Sequence, residues 1–442
     1  MHSSYPKVLH ELAGVPLLGH AIAVAKSLVE KYGGRIRVVT GHGSDQVDPL
    51  VAEYGADVVH QHQQLGTGHA LQIAMEGLGS DGQTLVLYGD VPLITETDIE
   101  PLISAGNTSL AVLTATVSDP TGYGRIVRDP SGDVVAIVED RDASESERTI
   151  CEINSGIYAA PTSLFQELLP LLTNVNSQNE YYLTDCVRLS VSSGRKVSGV
   201  EGAITATMGV NDRSQLAELN QLLQKKRRDT LMTAGVTLID PDTVHLNGTD
   251  IDIQPDTIIE PNVTLNSPVS IGSNVRIGFG SHLTDVVIGA NTVIKPYSVV
   301  ESATIGCDAQ IGPFTRLRPG TELSDATHVG NFCETKNAKV GRGSKINHLS
   351  YVGDAILGQR VNVGAGTITC NYDGAYKHQT NLGNDVFIGS NTSLIAPVIL
   401  GDGVTTGAGS VITNDVEPQN LALARSKQIN IPGYQRPKKT KD

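Results

Sequence analysis

The sequence has no tryptophan, and aromatic residues make up only 4% of it. A chain so poor in rings must fill its interior with aliphatic side chains. Cysteine is also scarce. The five, Cys151, Cys186, Cys307, Cys333 and Cys370, are odd in number, widely spaced and without a C-x-x-C pair. That argues against a disulfide framework and a zinc site, and reduced thiols are expected. No run of about 18 apolar residues exists, so no transmembrane helix is expected. The N-terminus has no apolar signal core, and a cytoplasmic location is the matching expectation. Positive charge is in deficit. The formal net charge of −14 argues against nucleic acid or a membrane surface as a partner. Two basic stretches, Lys225–Arg228 and Arg436–Lys441, are short and read as a solvated helix face and a solvated tail.

What the chain does have is length and a repeat. Its 442 residues exceed one ordinary core, so two or more domains are expected, and 39% apolar with 18% charged residues suits a globular protein. Residues 271–412 carry aliphatic-glycine pairs with a period of six, among them Ile271-Gly272, Ile277-Gly278, Ile288-Gly289, Ile305-Gly306, Val340-Gly341 and Ile388-Gly389. One such unit buries nothing alone. Stacked units point their aliphatic residues inward and turn at the small and polar ones, which predicts a three-sided parallel β-helix.

Before residue 213 the pattern alternates strands with helices. Arg35–Thr40, Ala56–Val59 and Thr84–Tyr88 read as strands, and Gly66-Thr-Gly68 opens a helix over Ala70–Gly77. This predicts a doubly wound α/β sheet with ligands at the carboxyl ends of its strands. The domains expected are 1–213, a linker helix over 214–234, and the β-helix over 235–442, with Gln419–Asp442 as a C-terminal arm outside the repeat.

Several residues carry chemistry. Asp90 follows a strand and a glycine, where a carboxylate can hold Mg²⁺ against phosphates; a turn or cap aspartate would look the same. Gly66-Thr-Gly68 could cradle a nucleotide or simply turn. Lys7, after Pro6, could meet a phosphate or solvent. Arg316 and Arg318 share one strand face, and the pair could grip an anion or stay solvated. His348 has an imidazole suited to taking a proton from an amine, and a surface histidine is its plain alternative. Thr369–Thr380 abandons the repeat as a projecting loop.

In order, Pro6-Lys7-Val-Leu, Leu65-Gly-Thr-Gly-His-Ala70, Leu87-Tyr-Gly-Asp-Val-Pro92, Thr121-Gly-Tyr-Gly-Arg-Ile126, Ile137-Val-Glu139, Glu152-Ile-Asn-Ser-Gly156, Glu180-Tyr-Tyr-Leu-Thr-Asp185 and Gly209-Val-Asn-Asp-Arg213 resemble sugar nucleotidyltransferases. Joined to a hexapeptide β-helix, they resemble over nearly the whole chain the bifunctional N-acetylglucosamine-1-phosphate uridyltransferase / glucosamine-1-phosphate N-acetyltransferase family of bacterial cell-wall precursor synthesis. The resemblance implies a left-handed β-helix and a homotrimer. It implies Mg²⁺ on Asp90 and Asn211, phosphates on Lys7, and uracil on Gln61, Gly66 and Thr67, with Tyr88 and Gly89 alongside. Gly124, Glu139 and Asn154 would hold N-acetylglucosamine. In the second half it implies His348 as base, Arg318 and Lys336 on a phosphate, and Tyr351 and Asn362 on a sugar. Ala365, Asn371, Tyr372, Ser390, Ala408 and Arg425 would contact acetyl-CoA.

One departure stands out. The family opens with a buried strand and a loop of the form Leu-x-x-Gly-x-Gly-Thr-Arg-Met, and Met1 stands at the last position of that motif. A truncated chain, a sheet without its first central strand and an impaired uridyltransferase are the expectations. Two other readings share the domain plan: a nucleotidyltransferase with a purely structural β-helix, and a non-catalytic assembly subunit. His348, Tyr351 and the Asn371-Tyr372 loop argue against the first, and Asp90, Asn211 and His348 against the second.

Overall fold

The computed structural model describes Met1 and residues 3–439; the last three residues of the expected C-terminal arm, and with them the end of the second basic stretch, lie outside the described residues. The chain divides into two compact units, Met1–Leu223 and Gln224–Asp442. The division falls within the helix Arg213–Thr233.

In the first unit the strand Leu110–Thr116 is buried for six of its seven residues. Its alternate side chains enter different cores. Leu110 and Val112 pack with Leu71, Tyr158 and Phe165, while Ala111 and Leu113 pack with Ile99, Leu102 and Ile157. A strand apolar on both faces needs helices over both, which makes the sheet doubly wound. Thr67–Met75, Thr162–Leu168 and Asp185–Ser192 supply one cover. Leu17–Tyr32 and Glu96–Ala105 supply the other. The long strand Glu152–Pro161 runs antiparallel to Gln83–Val86 and to Leu110–Thr116, a reversal that apolar runs do not reveal.

A second, two-stranded parallel sheet pairs Arg37–Thr40 with Asp57–His60. It has its own small core of Leu18, Ile22, Val47 and Val51. Among the described residues no strand joins this pair to the larger sheet. The strand expected over Thr84–Tyr88 ends at Val86, so Leu87 to Asp90 leave the sheet and are free to form a site.

The second unit is a parallel solenoid. Ile259, Ile277, Ile294, Ile311, Val329, Ile346, Val363 and Ile388 stack in register along one side. Leu265, Leu283, Val300 and Leu317 stack along a second, and Ile271, Ile288, Ile305, Leu323, Val340 and Leu357 along a third. These ladders form one aliphatic core, the three-sided interior expected from the repeat. The corners turn through residues with positive φ, such as Asn274, Asn291 and Asp308, or Ser302, Asn337 and Asp354. Asn and Asp enter that left-handed region at lower cost than other side chains with a Cβ. Glycine serves where the next coil crowds the corner: a Cβ on Gly389 would lie 2.5 Å from the Ala408 nitrogen. The second half of the helix, through Gln224, closes the first coil by donating to the Leu246 carbonyl at 3.0 Å.

Candidate active sites

In the first unit, three of the expected residues meet at one point. Lys7 Nζ donates to Asp90 Oδ2 at 2.6 Å and to Asn211 Oδ1 at 3.1 Å. The Val210 amide bonds the Asp90 carbonyl at 3.0 Å, which pins the Gly209-Val-Asn211 stretch beside the aspartate. Two side-chain oxygens thus converge on the Lys7 ammonium. Among the described residues no group of three or more His, Cys, Asp or Glu could hold a metal. An Asp–Asn pair that held Mg²⁺ would leave most of its shell to other oxygens, which is usual for that ion.

A second cluster lies on the Glu180–Asp185 stretch. Gly66, at φ +106°, has the Tyr181 carbonyl 2.7 Å from where a Cβ would stand, so no other residue fits there. The Gly68 amide bonds that carbonyl, and Thr67 Oγ1 accepts from the Leu183 amide at 3.2 Å. Gln61 donates to the Gly66 carbonyl at 3.2 Å. Burial pushes the Tyr88 hydroxyl up to about 12, so it remains a donor at neutral pH, with Thr67 as its hydrogen-bond partner. A Cβ on Gly89 would lie 3.0 Å from the Leu18 side chain.

The third cluster joins Gly124, Glu139 and Asn154. The Asn154 amide bonds the Gly124 carbonyl at 2.8 Å. Asn154 Oδ1 accepts from the Gly156 amide at 3.0 Å and from Tyr158 Oη at 3.1 Å, leaving its NH₂ to donate elsewhere. Burial raises the Glu139 carboxyl above its ordinary value, while Thr184 Oγ1 donates to it at 3.2 Å.

The solenoid carries a second set. Lys336 stands beside Lys377, with Arg318 nearby, and these two cations hold its amine below the ordinary lysine value. Three cations gathered on one face call for an anion. Arg318 also donates to Glu334 at 2.8 Å. Tyr351 is one coil from Glu334 and folds across Gly353: a Cβ there would lie 2.3 Å from Tyr351 Oη. Asn371 Nδ2 reaches the same hydroxyl at 3.4 Å. Lys377 was not among the residues picked from sequence. The loop folds back through a bridge between Tyr372 and Lys377, and this brings it over the site.

His348 Nδ1 lies 3.0 Å from Asn331 Oδ1. With an oxygen as partner, Nδ1 carries the proton and Nε2 keeps its lone pair, the tautomer a base requires. The His348 carbonyl accepts from the Gly366 amide at 3.2 Å, so Ala365 is on the next coil. Beyond it Ser390 and Ala408 occupy the same corner, and Arg425 closes it by donating to the Ala408 carbonyl at 2.6 Å. Two residues stand apart. Asn362 is in register with Lys345, three residues before His348 in the same strand, and with Phe387, and Tyr372 Oη donates to the Gly374 carbonyl in its own loop at 2.6 Å. Next to His348 runs a ladder of rings, Phe279, Tyr297, Phe314 and Phe332, with centroids 5.2 to 5.4 Å apart. The last three are about half exposed.

Fold and sites together define a nucleotidyltransferase joined to a hexapeptide-repeat transferase. Comparison with known proteins agrees. Residues 1–178 match the MobA-like NTP transferase domain, residues 248–340 the GMPPB C-terminal domain and residues 379–414 the bacterial transferase hexapeptide, six repeats. The chain is 48% identical over 443 residues to the bifunctional protein GlmU of Acinetobacter baumannii (strain AYE), covering 100% of this chain and 96% of that one. It is 49% identical over 441 residues to that of Stutzerimonas stutzeri (strain A1501), covering 99% and 96%, and 47% identical over 440 residues to that of Cellvibrio japonicus (strain Ueda107), covering 99% and 96%. The chain belongs to the family of bifunctional GlmU proteins. It is therefore a two-activity transferase with a left-handed parallel β-helix, and the readings with a purely structural β-helix or no catalysis give way. Coverage of 96% of these relatives gives the expected truncation no support.

Proposed function

We propose that the second unit transfers an acetyl group from acetyl-CoA to the amine of glucosamine-1-phosphate, and that the first joins N-acetylglucosamine-1-phosphate to UTP with release of pyrophosphate. The observation that carries the first half is the Arg318, Lys336 and Lys377 cluster beside Tyr351, on the same solenoid as an imidazole held in the basic tautomer. The cations bind the sugar phosphate and Tyr351 and Asn362 the sugar. His348 Nε2 takes the proton as the amine attacks the thioester carbonyl; the C–S bond breaks and CoA leaves as the thiol. Ala365, Ser390, Ala408 and Arg425 receive acetyl-CoA along their corner, and Asn371 and Tyr372 receive it from the projecting loop.

In the first unit Asp90 and Asn211 would hold Mg²⁺, which when bound neutralises phosphate charge. Lys7 then meets the phosphates; Gln61, Gly66, Thr67, Tyr88 and Gly89 hold the uracil nucleotide, and Gly124, Glu139 and Asn154 the sugar. Positioning and charge neutralisation supply the rate. A homotrimer with the acetyl site at a subunit interface is supported by the half-exposed Tyr297, Phe314 and Phe332 ladder beside His348, an apolar strip that association would cover. A cytoplasmic location fits the five free thiols and belongs to the same reading. No helix among the described residues is long and apolar enough to cross a membrane.

The test is a pair of assays on the same preparation: thiol release from acetyl-CoA with glucosamine-1-phosphate, and pyrophosphate release from UTP with N-acetylglucosamine-1-phosphate and Mg²⁺. Activity in both is expected. Silence in either removes that half of the proposal.

A further inference from the structure

Asp354 is a buried carboxylate on the solenoid, 9% exposed, that no role above uses. It turns a corner at φ +47°, stacked on Asn337 at φ +45° in the coil before. Its Oδ1 accepts from Asn337 Nδ2 at 2.7 Å and its Oδ2 from Asn371 Nδ2 at 2.5 Å. Three corner side chains in successive coils are thus chained by hydrogen bonds.

The chain has a direction, because a carboxylate can only accept. Facing Asp354, the Asn371 amide must present its NH₂. The same NH₂ lies 3.4 Å from Tyr351 Oη. Among the described residues Asn371 Oδ1 accepts no hydrogen bond, although the residue is only 8% exposed. An amide with its donors committed inward has one function left, which is to accept.

We infer that Asp354 is a positioning residue: it fixes the Asn371 amide so that Oδ1 faces the bound substrates and selects an N–H donor, an amide of the pantetheine arm of acetyl-CoA. The inference rests on Asn371 belonging to the acetyl site. Burying a carboxylate is costly, and orienting a neighbour gives that cost a use.

The test is Asp354→Asn in the full-length protein. Asparagine suits the left-handed corner and has the same shape, so the fold is kept. The introduced side chain must keep its oxygen on Asn337 and turn its NH₂ toward Asn371. That reverses Asn371 and puts a donor where an acceptor stood. KM for acetyl-CoA is expected to rise about tenfold, the size of one hydrogen bond lost with its partner left unpaired, with kcat changed little and Tm unchanged. Adding Asn371→Asp restores an outward acceptor and should recover most of the KM. Unchanged KM in Asp354→Asn, or no recovery in the double variant, overturns the inference. Asn371→Ala separates the two levels: normal kinetics there would remove Asn371 from the acetyl site and end the inference with it, whereas a raised KM there beside a normal Asp354→Asn would sink the positioning role alone.

Discussion

Gly353→Ala tests the acetyl site with a single methyl group. A Cβ at this position would stand 2.3 Å from Tyr351 Oη and 2.6 Å from its Cζ. Ordinary contact begins near 3.4 Å, so one partner must move by roughly 1 Å. The backbone cannot yield easily. The Gly353 amide bonds Thr369 Oγ1 at 2.8 Å, and Thr369 Oγ1 donates back to the Gly353 carbonyl at 2.9 Å. The tyrosine ring must therefore swing off the site and away from Asn371. A displacement of that size costs roughly 100-fold where geometry is critical and about tenfold where one hydrogen bond is lost. We expect KM for glucosamine-1-phosphate to rise by about tenfold or more, with Tm nearly unchanged. The check is a double-mutant cycle on thiol release. In a Tyr351→Ala background, Gly353→Ala should cost nothing further. An equal cost in both backgrounds would show that the methyl group acts through the backbone, and the reasoning about Tyr351 would fail.

Three further outcomes follow from the geometry. Lys336 gives up its proton at lower pH than an isolated lysine because of Lys377 and Arg318; affinity for the sugar phosphate should therefore fall early as pH rises, and Lys377→Met should move that alkaline limb to higher pH while raising KM, as KM–pH profiles of the two proteins would reveal. Asp90→Ala should abolish pyrophosphate release and leave thiol release near normal, since the two sites lie in separate units; loss of both would contradict that division. On the proposed homotrimer, Phe332→Glu should lower the sedimentation coefficient, and an unchanged coefficient would remove the aromatic ladder from the interface.

The parts of the fold legible in sequence are those where one requirement repeats. The Ile–Gly pairs recur because every coil needs an inward aliphatic residue and a tight corner, and the three ladders follow from that. Asp90 and Asn211 were readable as motif residues, but nothing in the spacing placed Lys7 on both of them. Lys377 was hidden because it lies in the irregular loop Thr369–Thr380 and reaches Lys336 only after the loop folds back on itself. Asp354 was hidden for the opposite reason. It looks like any polar corner residue, and its burial between Asn337 and Asn371 exists only once the coils stack. The antiparallel course of Glu152–Pro161 is not legible in sequence, because direction depends on partners and not on composition.

The central claim is that this solenoid carries acetyl transfer through His348. The most direct measurement is thiol release from acetyl-CoA, dependent on glucosamine-1-phosphate, in the parent protein and in His348→Ala. The account predicts turnover in the parent and a loss of about 100-fold or more in the variant, the contribution of a general base, with Tm and pyrophosphate release retained. Near-normal thiol release from the folded variant would contradict it.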